Sequence, residues 1–503
     1  MSVVHHLSTN PADRDDVVWE GPVADAEAFE AAARAARAAQ PGWAATPAPR
    51  RGRAIQQIGR TVEANKEALA RLVTREIGKP YPEALGEVQE IVDTCDFFLG
   101  EGRRLYGQTV PSEMPDKQLF TFRVPVGVVA IITAGNFPVA VPSWYLVPAL
   151  LCGNTVVWKP ADYTPALGEA LGALFQAGGL PEGVLSVVQA DGPTTFAGLE
   201  RALDEGLVDK VGFTGSSAVG REIGALCGRH LQSPCLELGG KNPMVVTADA
   251  DLDLAVEGAL FGGFGTAGQR CTSLGTAIVA AEVYEDFVAR LTRAVEAAPI
   301  GDPMQDVLYG PLIHEKFLER FLDEHLGLIR DHHAVSGSTG LGRITAENPR
   351  AGFVGDHERG LYVHPTIVAG VRIDDEIANT ETFGPLVGVA RYEGFDEAIA
   401  LANGHGYGLS SAIYTRDATT ALRFRERVSA GMVSVNNSTS GAEAHLPFGG
   451  NGKSGNGSRQ SGIWVLDQFT RWQSMNWDYA GKLQKAQMDV ADVDADLAFR
   501  LEG

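Results

Sequence analysis

The sequence predicts an α/β fold with two parallel-sheet lobes and a small β arm. From residue 120 onwards, β-branched runs alternate with helical segments: a strand at 151–160, a helix at 164–177 and a strand at 184–189 follow in turn. Such alternation implies parallel strands joined by right-handed crossovers. The pattern restarts at the helical stretch 252–264, which predicts a second lobe, and residues 471–479 alternate like a strand outside both lobes.

The first hundred residues are predicted to be mainly helical after a polar lead-in. Residues 25–39 are rich in alanine, and residues 53–77 form a second helical segment closed by a glycine and a proline. In residues 86–98 the apolar side chains share one helix face. The acidic side chains of that segment are therefore expected on a solvated face; they are Glu87, Glu90 and Asp93.

Composition excludes several classes of function. A chain of 503 residues is too long for one small core. Its net charge of −21 disfavours nucleic acids and anionic membranes as partners. Prolines interrupt the longest apolar stretches, so no segment is expected to span a membrane. Five cysteines without a CxxC pair argue against disulfide scaffolds and metal sites and favour a cytoplasmic location.

A glycine-rich turn, FGTAGQRCTS, presents Cys271 as a candidate nucleophile. Arg270 and nearby peptide N–H groups are expected to favour its thiolate form. Glu237 lies 34 positions upstream, just before a Gly-Gly break. A nucleophile and a carboxylate base are the minimum needed to form and hydrolyse a thioester. Taken alone, a buried structural cysteine and a helix-capping or solvated glutamate are alternative interpretations.

Seven motifs in register resemble the aldehyde dehydrogenase superfamily over nearly the whole chain. They are TAGNFP (133–138), VVWKPADYTP (156–165), VGFTGSSAVG (211–220), LELGGKNP (236–243), GTAGQRC (265–271), ETFGP (381–385) and LPFGGNGKSG (446–455). The resemblance implies Rossmann-like cofactor-binding and catalytic lobes and an NAD(P)-dependent oxidoreductase acting on aldehydes. A non-catalytic scaffold on the same fold is the alternative of another class.

The resemblance also implies a mechanism. Cys271 would attack the aldehyde carbon, and Asn136 together with the Cys271 N–H would stabilise the resulting thiohemiacetal oxyanion. After hydride transfer, Glu237 would activate the water that hydrolyses the thioester. Without its motif, Asn136 would be taken as a turn residue.

Cofactor binding is expected without the usual fingerprint, because no GxGxxG follows the first strand. The resemblance places the pyrophosphate at a strand-to-helix turn that contains Gly215, Ser216 and Gly220. It places the adenosine ribose beside Lys159 and Asp162, and the nicotinamide beside Glu381 and Phe383. A carboxylate at 162 repels a 2′-phosphate, so NAD is favoured over NADP, although this aspartate is one methylene shorter than the glutamate frequent there.

Substrate recognition resembles that of the antiquitin branch, the α-aminoadipic semialdehyde (piperideine-6-carboxylate) dehydrogenases. The resembling segments are 86–98, 265–272, 308–312 and 438–444. The branch implies that Arg270 and the loop Ser440, Gly441 and Ala442 bind the substrate carboxylate, and that Phe137 and Trp144 form apolar walls. It also implies that Glu90 faces the substrate's amino group, and this replaces the interpretation of Glu90 as a solvated side chain. Other semialdehydes, neutral aliphatic or aromatic aldehydes, and CoA-acylating chemistry are the alternatives.

The domain boundaries follow from the same resemblance. Residues 1–105 and 126–239 are expected to form the NAD-binding domain, and 240–463 the catalytic domain. Residues 106–125 and 464–490 are expected to form an oligomerisation arm that builds a homodimer or homotetramer. Residues 491–503 are expected to be an acidic tail.

Overall fold

The computed structural model describes residues 5–490 and 493–502. It confirms the predicted α/β class: a five-stranded parallel sheet and a seven-stranded, mostly parallel sheet form the body, and a three-stranded antiparallel sheet stands apart. Of the expected acidic tail, residues 491, 492 and 503 lie outside the described part. None of the described helices is long and apolar enough to cross a membrane.

The helices are α1 Ala26–Ala45, α2 Ala48–Ala64, α3 Lys66–Ile77, α4 Tyr81–Glu101, α5 Ala140–Leu151, α6 Pro165–Ala177, α7 Gly192–Asp204, α8 Ser217–Arg229, α9 Leu252–Phe264, α10 Tyr284–Ala297, α11 Glu315–Arg320, α12 Glu376–Asn379, α13 Phe395–Asn403, α14 Ala418–Arg427 and α15 Leu466–Phe469. Short 3-10 turns occupy Gly265–Gly268, Leu326–Leu328, Ile463–Val465 and Ala486–Met488, and a π-helix occupies Phe321–His325.

The strands are β1 His5–Asn10, β2 Asp13–Pro22, β3 Thr109–Val110, β4 Lys117–Pro125, β5 Val128–Ile132, β6 Thr155–Lys159, β7 Leu185–Val187, β8 Lys210–Thr214, β9 Cys235–Glu237, β10 Asn242–Val246, β11 Leu274–Ala280, β12 Ile300–Gly301, β13 Ala334–Ser336, β14 Phe353–Val354, β15 Thr366–Ala369, β16 Leu386–Tyr392, β17 Tyr407–Gly408, β18 Ser410–Tyr414, β19 Met432–Val435, β20 Asn451–Gly452 and β21 Thr470–Asp478.

The five-stranded sheet, in the order β7-β6-β5-β8-β9, is covered by helices on both faces. Along β5, Val129 and Ile131 pack into a core shared with α2 to α6. The alternate side chains, Val128, Ala130 and Ile132, pack into a second core with α1, α7 and α8. Side chains of a strand point to opposite faces in turn, so a wholly apolar run fits a strand buried on both sides.

The seven-stranded sheet has the order β13-β15-β16-β11-β10-β18-β19, with only the edge strand β13 antiparallel to its neighbour among the described strands. Its central strand β11 is buried along its whole length. That strand begins three positions after Cys271, so the candidate nucleophile lies on the turn that leads into the buried central strand of this sheet.

The prediction that Glu87 lies on a solvated face of α4 is wrong. This side chain is 1% exposed and forms an ion pair with Lys79 whose two side chains are fully buried. Its Oε1 also accepts hydrogen bonds from the backbone N–H groups of Val139 (3.0 Å) and Ala140 (3.2 Å), at the start of α5. Helix α4 packs against α2, α3 and α5, so little of it remains solvated. Asp93 is exposed, as predicted.

Substituting Glu87 with glutamine should therefore destabilise the fold. The change leaves the Lys79 ammonium buried without a counter-charge, which costs about 3–5 kcal/mol. A melting temperature lowered by several degrees, measured at a fixed scan rate, would show it. Asp93→Asn is the control on the same helix, because an exposed substitution of this kind changes stability by about 0.5 kcal/mol or less. Equal melting temperatures for the two variants would contradict the importance of the buried pair.

Other elements differ from expectation in ways that have local causes. The helical segment 53–77 is two helices, α2 and α3, separated at Asn65, which leaves the helical region at φ −112° and ψ 13°. The polar lead-in contains an antiparallel hairpin, β1 with β2, that the sequence did not signal. The segments 106–125 and 464–490 do meet: β21 pairs with β4 in an antiparallel register from Thr470–Pro125 to Asp478–Lys117.

Candidate functional site

The turn before Cys271 has an unusual backbone. Helix α9 ends at Phe264, and Thr266, Ala267 and Gly268 then take left-handed φ values of 51°, 53° and 67°. A Cβ at position 268 would collide with the carbonyl oxygen of Gly384, so only glycine fits there. A β-branched residue such as Thr266 adopts this conformation rarely and only where its surroundings hold it. The turn is therefore a built feature of the site.

Two asparagines hold the chain on either side of the cysteine. Asn242 Nδ2 donates to the carbonyl oxygens of Cys271 and Ser273, both at 2.8 Å. Asn136 Nδ2 donates to the carbonyl oxygen of Gln269 at 2.9 Å, and its side chain is 6% exposed. The structure thus brings Asn136 next to the Cys271 turn, as the sequence predicted. Asn242 was not predicted, although it lies in the LELGGKNP motif.

Two cavities meet at Cys271. One, of about 390 Å³, opens at the carboxyl ends of β8 and β9 and is also lined by Asn136. The other, of about 260 Å³, is bounded mainly by α4, α5 and the loop at 440–442. Because Cys271 lines both, a group on its sulfur is within reach of ligands in either cavity. We call them the cofactor cavity and the substrate cavity.

The cofactor cavity suits a dinucleotide. Four predicted cofactor residues line it: Gly215, Ser216, Glu381 and Phe383. Ser216 Oγ accepts the Val219 N–H at 3.4 Å and caps α8, whose N-terminal N–H groups favour an anion such as a pyrophosphate. The Glu381 carboxylate accepts the Gly240 N–H at 3.0 Å and closes over Gly239, where a Cβ would collide with it.

Three predicted cofactor residues stand outside the lining of this cavity. Gly220 packs against the side chain of Leu238. Lys159 is buried at the end of β6, and burial lowers its pKa. Asp162 lies 3.5 Å from the ammonium of Lys316, and Lys316 does line the cavity.

Sequence reasoning missed the residues that α11 and its flanks contribute to the cofactor cavity. They are Lys316, Phe317 and Arg320. The phenyl rings of Phe317 and Phe383 are 5.6 Å apart, so the two together form an aromatic wall. No motif marks this stretch, and only the fold brings it to the site.

All seven predicted substrate residues line the substrate cavity together with Cys271. They are Glu90, Phe137, Trp144, Arg270, Ser440, Gly441 and Ala442. Ser440 Oγ donates to the Thr272 carbonyl oxygen at 3.3 Å, which ties the 440–442 loop to the nucleophile turn. The wall opposite is aromatic, with the rings of Trp144 and Phe448 4.8 Å apart.

Charges in the substrate cavity are paired, with one exception. Arg270 is ion-paired with Glu83, and Glu87 is ion-paired with Lys79. Glu90 has a buried Oε2 with no hydrogen-bond partner among the described residues. Burial and then the Glu87 charge raise the pKa of Glu90 to about 8, against the opposing charges of Lys79 and Arg270. The cavity therefore presents one carboxyl group without a protein partner.

Glu237 is buried beside the site but lines neither cavity. It is 3% exposed, its Oε1 lies 3.5 Å from Ser458 Oγ, and its Oε2 has no partner in the described structure. Burial raises its pKa well above the usual value, although Arg459 opposes this. A Cβ at Gly449 would lie 2.6 Å from Oε1, so the glycine-rich segment 446–457 packs against this carboxyl group.

The expectation that Arg270 favours a Cys271 thiolate is wrong. Burial, with the carboxyl groups of Glu381 and Glu237, raises the pKa of Cys271 to about 12. The Arg270 guanidinium is engaged elsewhere, in the ion pair with Glu83 and 4.4 Å above the ring of Phe261. In this state the group at position 271 is a neutral thiol, which must lose its proton when the sulfur reacts.

Comparisons with known proteins agree with this site. The aldehyde dehydrogenase family model matches residues 5–475. An alpha-ketoglutarate semialdehyde dehydrogenase of Haloferax volcanii is 40% identical over 466 residues, covering 92% of this chain and 93% of that protein. An alpha-aminoadipic semialdehyde dehydrogenase of Bos taurus is 36% identical over 488 residues, covering 95% and 86%.

A solved structure gives the same result for the fold. The betaine aldehyde dehydrogenase of Staphylococcus aureus, in complex with NAD+, superposes with a TM-score of 0.89 at 28% identity, covering 96% of this chain and 93% of that one. The predicted resemblance is thus confirmed, and with it an oxidoreductase that uses NAD(P). Sequence, fold and relatives agree that this chain belongs to the aldehyde dehydrogenase family.

Proposed function

We propose that this enzyme oxidises a semialdehyde bearing charged groups at its far end to the carboxylic acid, with α-aminoadipic semialdehyde as the first candidate. The observation that carries the proposal is the buried Glu90 Oε2, which has no hydrogen-bond partner among residues 5–490 and 493–502, in a cavity that Arg270 and Cys271 also line. An ammonium group would give that oxygen its missing partner. A carboxylate would find hydrogen-bond donors on the guanidinium.

The chemistry we propose runs through Cys271. Its sulfur attacks the aldehyde carbon and releases its proton to solvent water, and the Asn136 amide and the Cys271 N–H stabilise the oxyanion of the thiohemiacetal. A bound nicotinamide cofactor would supply the hydride acceptor, and Cys271 would then carry the acyl group as a thioester. Glu237, once ionised, removes a proton from the water that attacks the thioester carbon. The carboxylic acid leaves, and the thiol is restored.

The residues that we propose hold the cofactor follow from the cofactor cavity. Gly215 and Ser216 would hold the pyrophosphate at the N-terminus of α8, with the Ser216 N–H as a donor, because the Gly215 N–H already donates to the Glu237 carbonyl oxygen at 3.1 Å. Glu381 would hold the nicotinamide ribose, and Phe383 would pack near the ring. Lys159 and Asp162 would flank the adenosine ribose. The carboxylate of Asp162 supports NAD over NADP, because it repels a 2′-phosphate.

A panel of aldehydes and one substitution test the substrate assignment. We expect kcat/KM for α-aminoadipic semialdehyde to exceed that for pentanal by tenfold or more, or about 1.4 kcal/mol. Glu90→Gln should lower that ratio about tenfold, because an amide lacks the charge that pairs with an ammonium. Initial rates of NADH formation measure both quantities, and Asp96→Asn is the control, because Asp96 is exposed on α4 and does not line the substrate cavity. A wild-type preference for pentanal, or an unchanged ratio in Glu90→Gln, would contradict the assignment.

Alpha-ketoglutarate semialdehyde is the second candidate, favoured by the 40% identity to the Haloferax volcanii enzyme. This aldehyde carries a carboxylate and a keto group but no ammonium. If it is the substrate, Glu90→Gln should leave its kcat/KM close to the wild-type value, whereas Arg270→Ala should raise its KM. The response to the two substitutions therefore separates the candidates.

We also propose that the enzyme assembles through the sheet formed by β3, β4 and β21. Strand β21 is an edge strand, and it exposes Trp472 and Trp477 by 54% and 55%. An exposed edge with large apolar side chains suits pairing with a second copy, which supports a homodimer or homotetramer. All five cysteines are free thiols, which supports a reducing compartment such as the cytoplasm.

A further inference from the structure

We infer that Glu83 limits how strongly the substrate cavity accepts a carboxylate, by competing with the substrate for Arg270. Glu83 is thus a positioning residue, which acts on the substrate through the arginine. The inference rests on the proposed function, in which Arg270 receives the carboxylate of a semialdehyde.

The contacts of Glu83 join it to the arginine and to the strained turn at once. Its Oε2 accepts hydrogen bonds from Arg270 Nη2 and from Thr266 Oγ1, and its Oε1 accepts the Thr266 N–H at 3.2 Å. Arg270 Nε donates to Thr266 Oγ1 at 3.3 Å. Arg270 Nη1 takes part in none of these four hydrogen bonds. One edge of the guanidinium is therefore occupied, and Nη1 remains for a ligand.

The charge balance of the cavity gives this contact its effect. Glu83 cancels the charge of Arg270 and Lys79 cancels that of Glu87, so Glu90 supplies the remaining charge once it is ionised. A substrate carboxylate that reaches Arg270 must lie close to the Glu83 carboxylate, and like charges at such distances repel. Selectivity arises as much from an unfavourable contact with one ligand as from a favourable contact with another.

The arrangement predicts that a substrate carboxylate binds less well when no ammonium group accompanies it. An aldehyde with a carboxylate and no ammonium can accept hydrogen bonds from one edge of the Arg270 guanidinium, but it lies close to two acidic side chains, Glu83 and Glu90, that repel it. An aldehyde that also carries an ammonium adds a favourable contact with Glu90. Glu83 therefore raises the discrimination between these two classes of substrate, whichever of them the cell supplies.

Glu83→Gln is the informative substitution, because it removes the charge and keeps the shape. The amide oxygen can still accept the Thr266 N–H, so the left-handed turn keeps that hydrogen bond. The amide NH2 group would then replace the oxygen that accepts from Arg270 Nη2 and Thr266 Oγ1. We expect the ratio of kcat/KM for succinic semialdehyde, which has a carboxylate and no ammonium, to that for pentanal to rise about tenfold. The rise should come from a lower KM for succinic semialdehyde. In the double variant Glu83→Gln/Arg270→Gln the rise should disappear.

Each result decides the matter. An unchanged ratio, including the case in which both rates fall together, would overturn the inference and leave Glu83 as a support of the turn. A rise that persists without Arg270 would overturn it too. Because the ratio is compared between variants, it is independent of which aldehyde the wild type prefers. A wild-type preference for pentanal over α-aminoadipic semialdehyde, combined with an Arg270-dependent rise, would refute the proposed substrate and leave the competition between Glu83 and a carboxylate for Arg270 standing.

Discussion

Replacing Cys271 with serine should lower the rate of NADH formation by about 10⁴-fold or more. Loss of the nucleophile in enzymes that form a covalent intermediate costs this much, because the remaining groups stabilise a transition state that no longer forms. A serine hydroxyl is a weaker nucleophile than a thiol, and the site offers it the same acidic, buried surroundings that already disfavour the thiolate. Cofactor affinity should remain within about threefold, since one atom of the lining changes.

Nicotinamide absorbance measures the rate, and quenching of tryptophan fluorescence measures NAD binding. Cys227→Ala is the matched control, because that thiol is buried in α8 and lines neither cavity. Undiminished turnover in Cys271→Ser would remove this residue from the mechanism. An equal loss in the control would point to misfolding.

Glu237→Gln should slow steady-state turnover by about 10²–10⁴-fold, the usual contribution of a general base. The first half of the reaction does not need this base, so a burst of NADH close to one equivalent per active site should precede the slow phase. Rapid mixing with excess aldehyde measures the burst. A variant that loses the burst along with the turnover would indicate that Glu237 also acts during attack by Cys271.

The pH dependence has a definite sign. Burial raises the pKa of Glu237 above its usual value, and a base must be ionised to accept a proton. The wild-type kcat should therefore rise with pH through that pKa, and the rise should vanish in Glu237→Gln. A profile of unchanged shape in the variant would assign the titration to another group. Glu381 would be the first candidate, because burial raises the pKa of Glu381 to about 7.

The sequence was most informative where structure is local. The helices predicted at 164–177 and 252–264 depend on short runs of side chains, and the structure has them at Pro165–Ala177 and Leu252–Phe264. The motifs predict that Cys271 and Asn136 share one site. The residues from α11 could not be predicted, because their part in the site depends on how distant segments pack. The pKa of Cys271 escaped prediction for the same reason: it depends on Glu381 and Glu237, which are neighbours only in space.

Helix α4 carries a sequence signal for the site that its apolar periodicity does not reveal. The apolar positions of 86–98 predict a solvated face for Glu87 and Asp93, and Glu87 is buried. Glu83, Glu87 and Glu90 are spaced by four and three positions, which puts them on one face of a helix. In the structure that face forms part of the substrate cavity, whereas Asp93 stays outside. An acidic stripe at helical spacing was thus a signal for a functional surface.

The position of Cys271 between two cavities has a kinetic consequence. Cys271 lines both cavities, so a ligand in one cavity need not block access to the other. We expect an acyl group that extends into the substrate cavity to leave the cofactor cavity open, so that reduced nucleotide can depart before hydrolysis is complete. For the same reason, a covalent inhibitor that fills the substrate cavity would stop turnover while nucleotide binding and release continue.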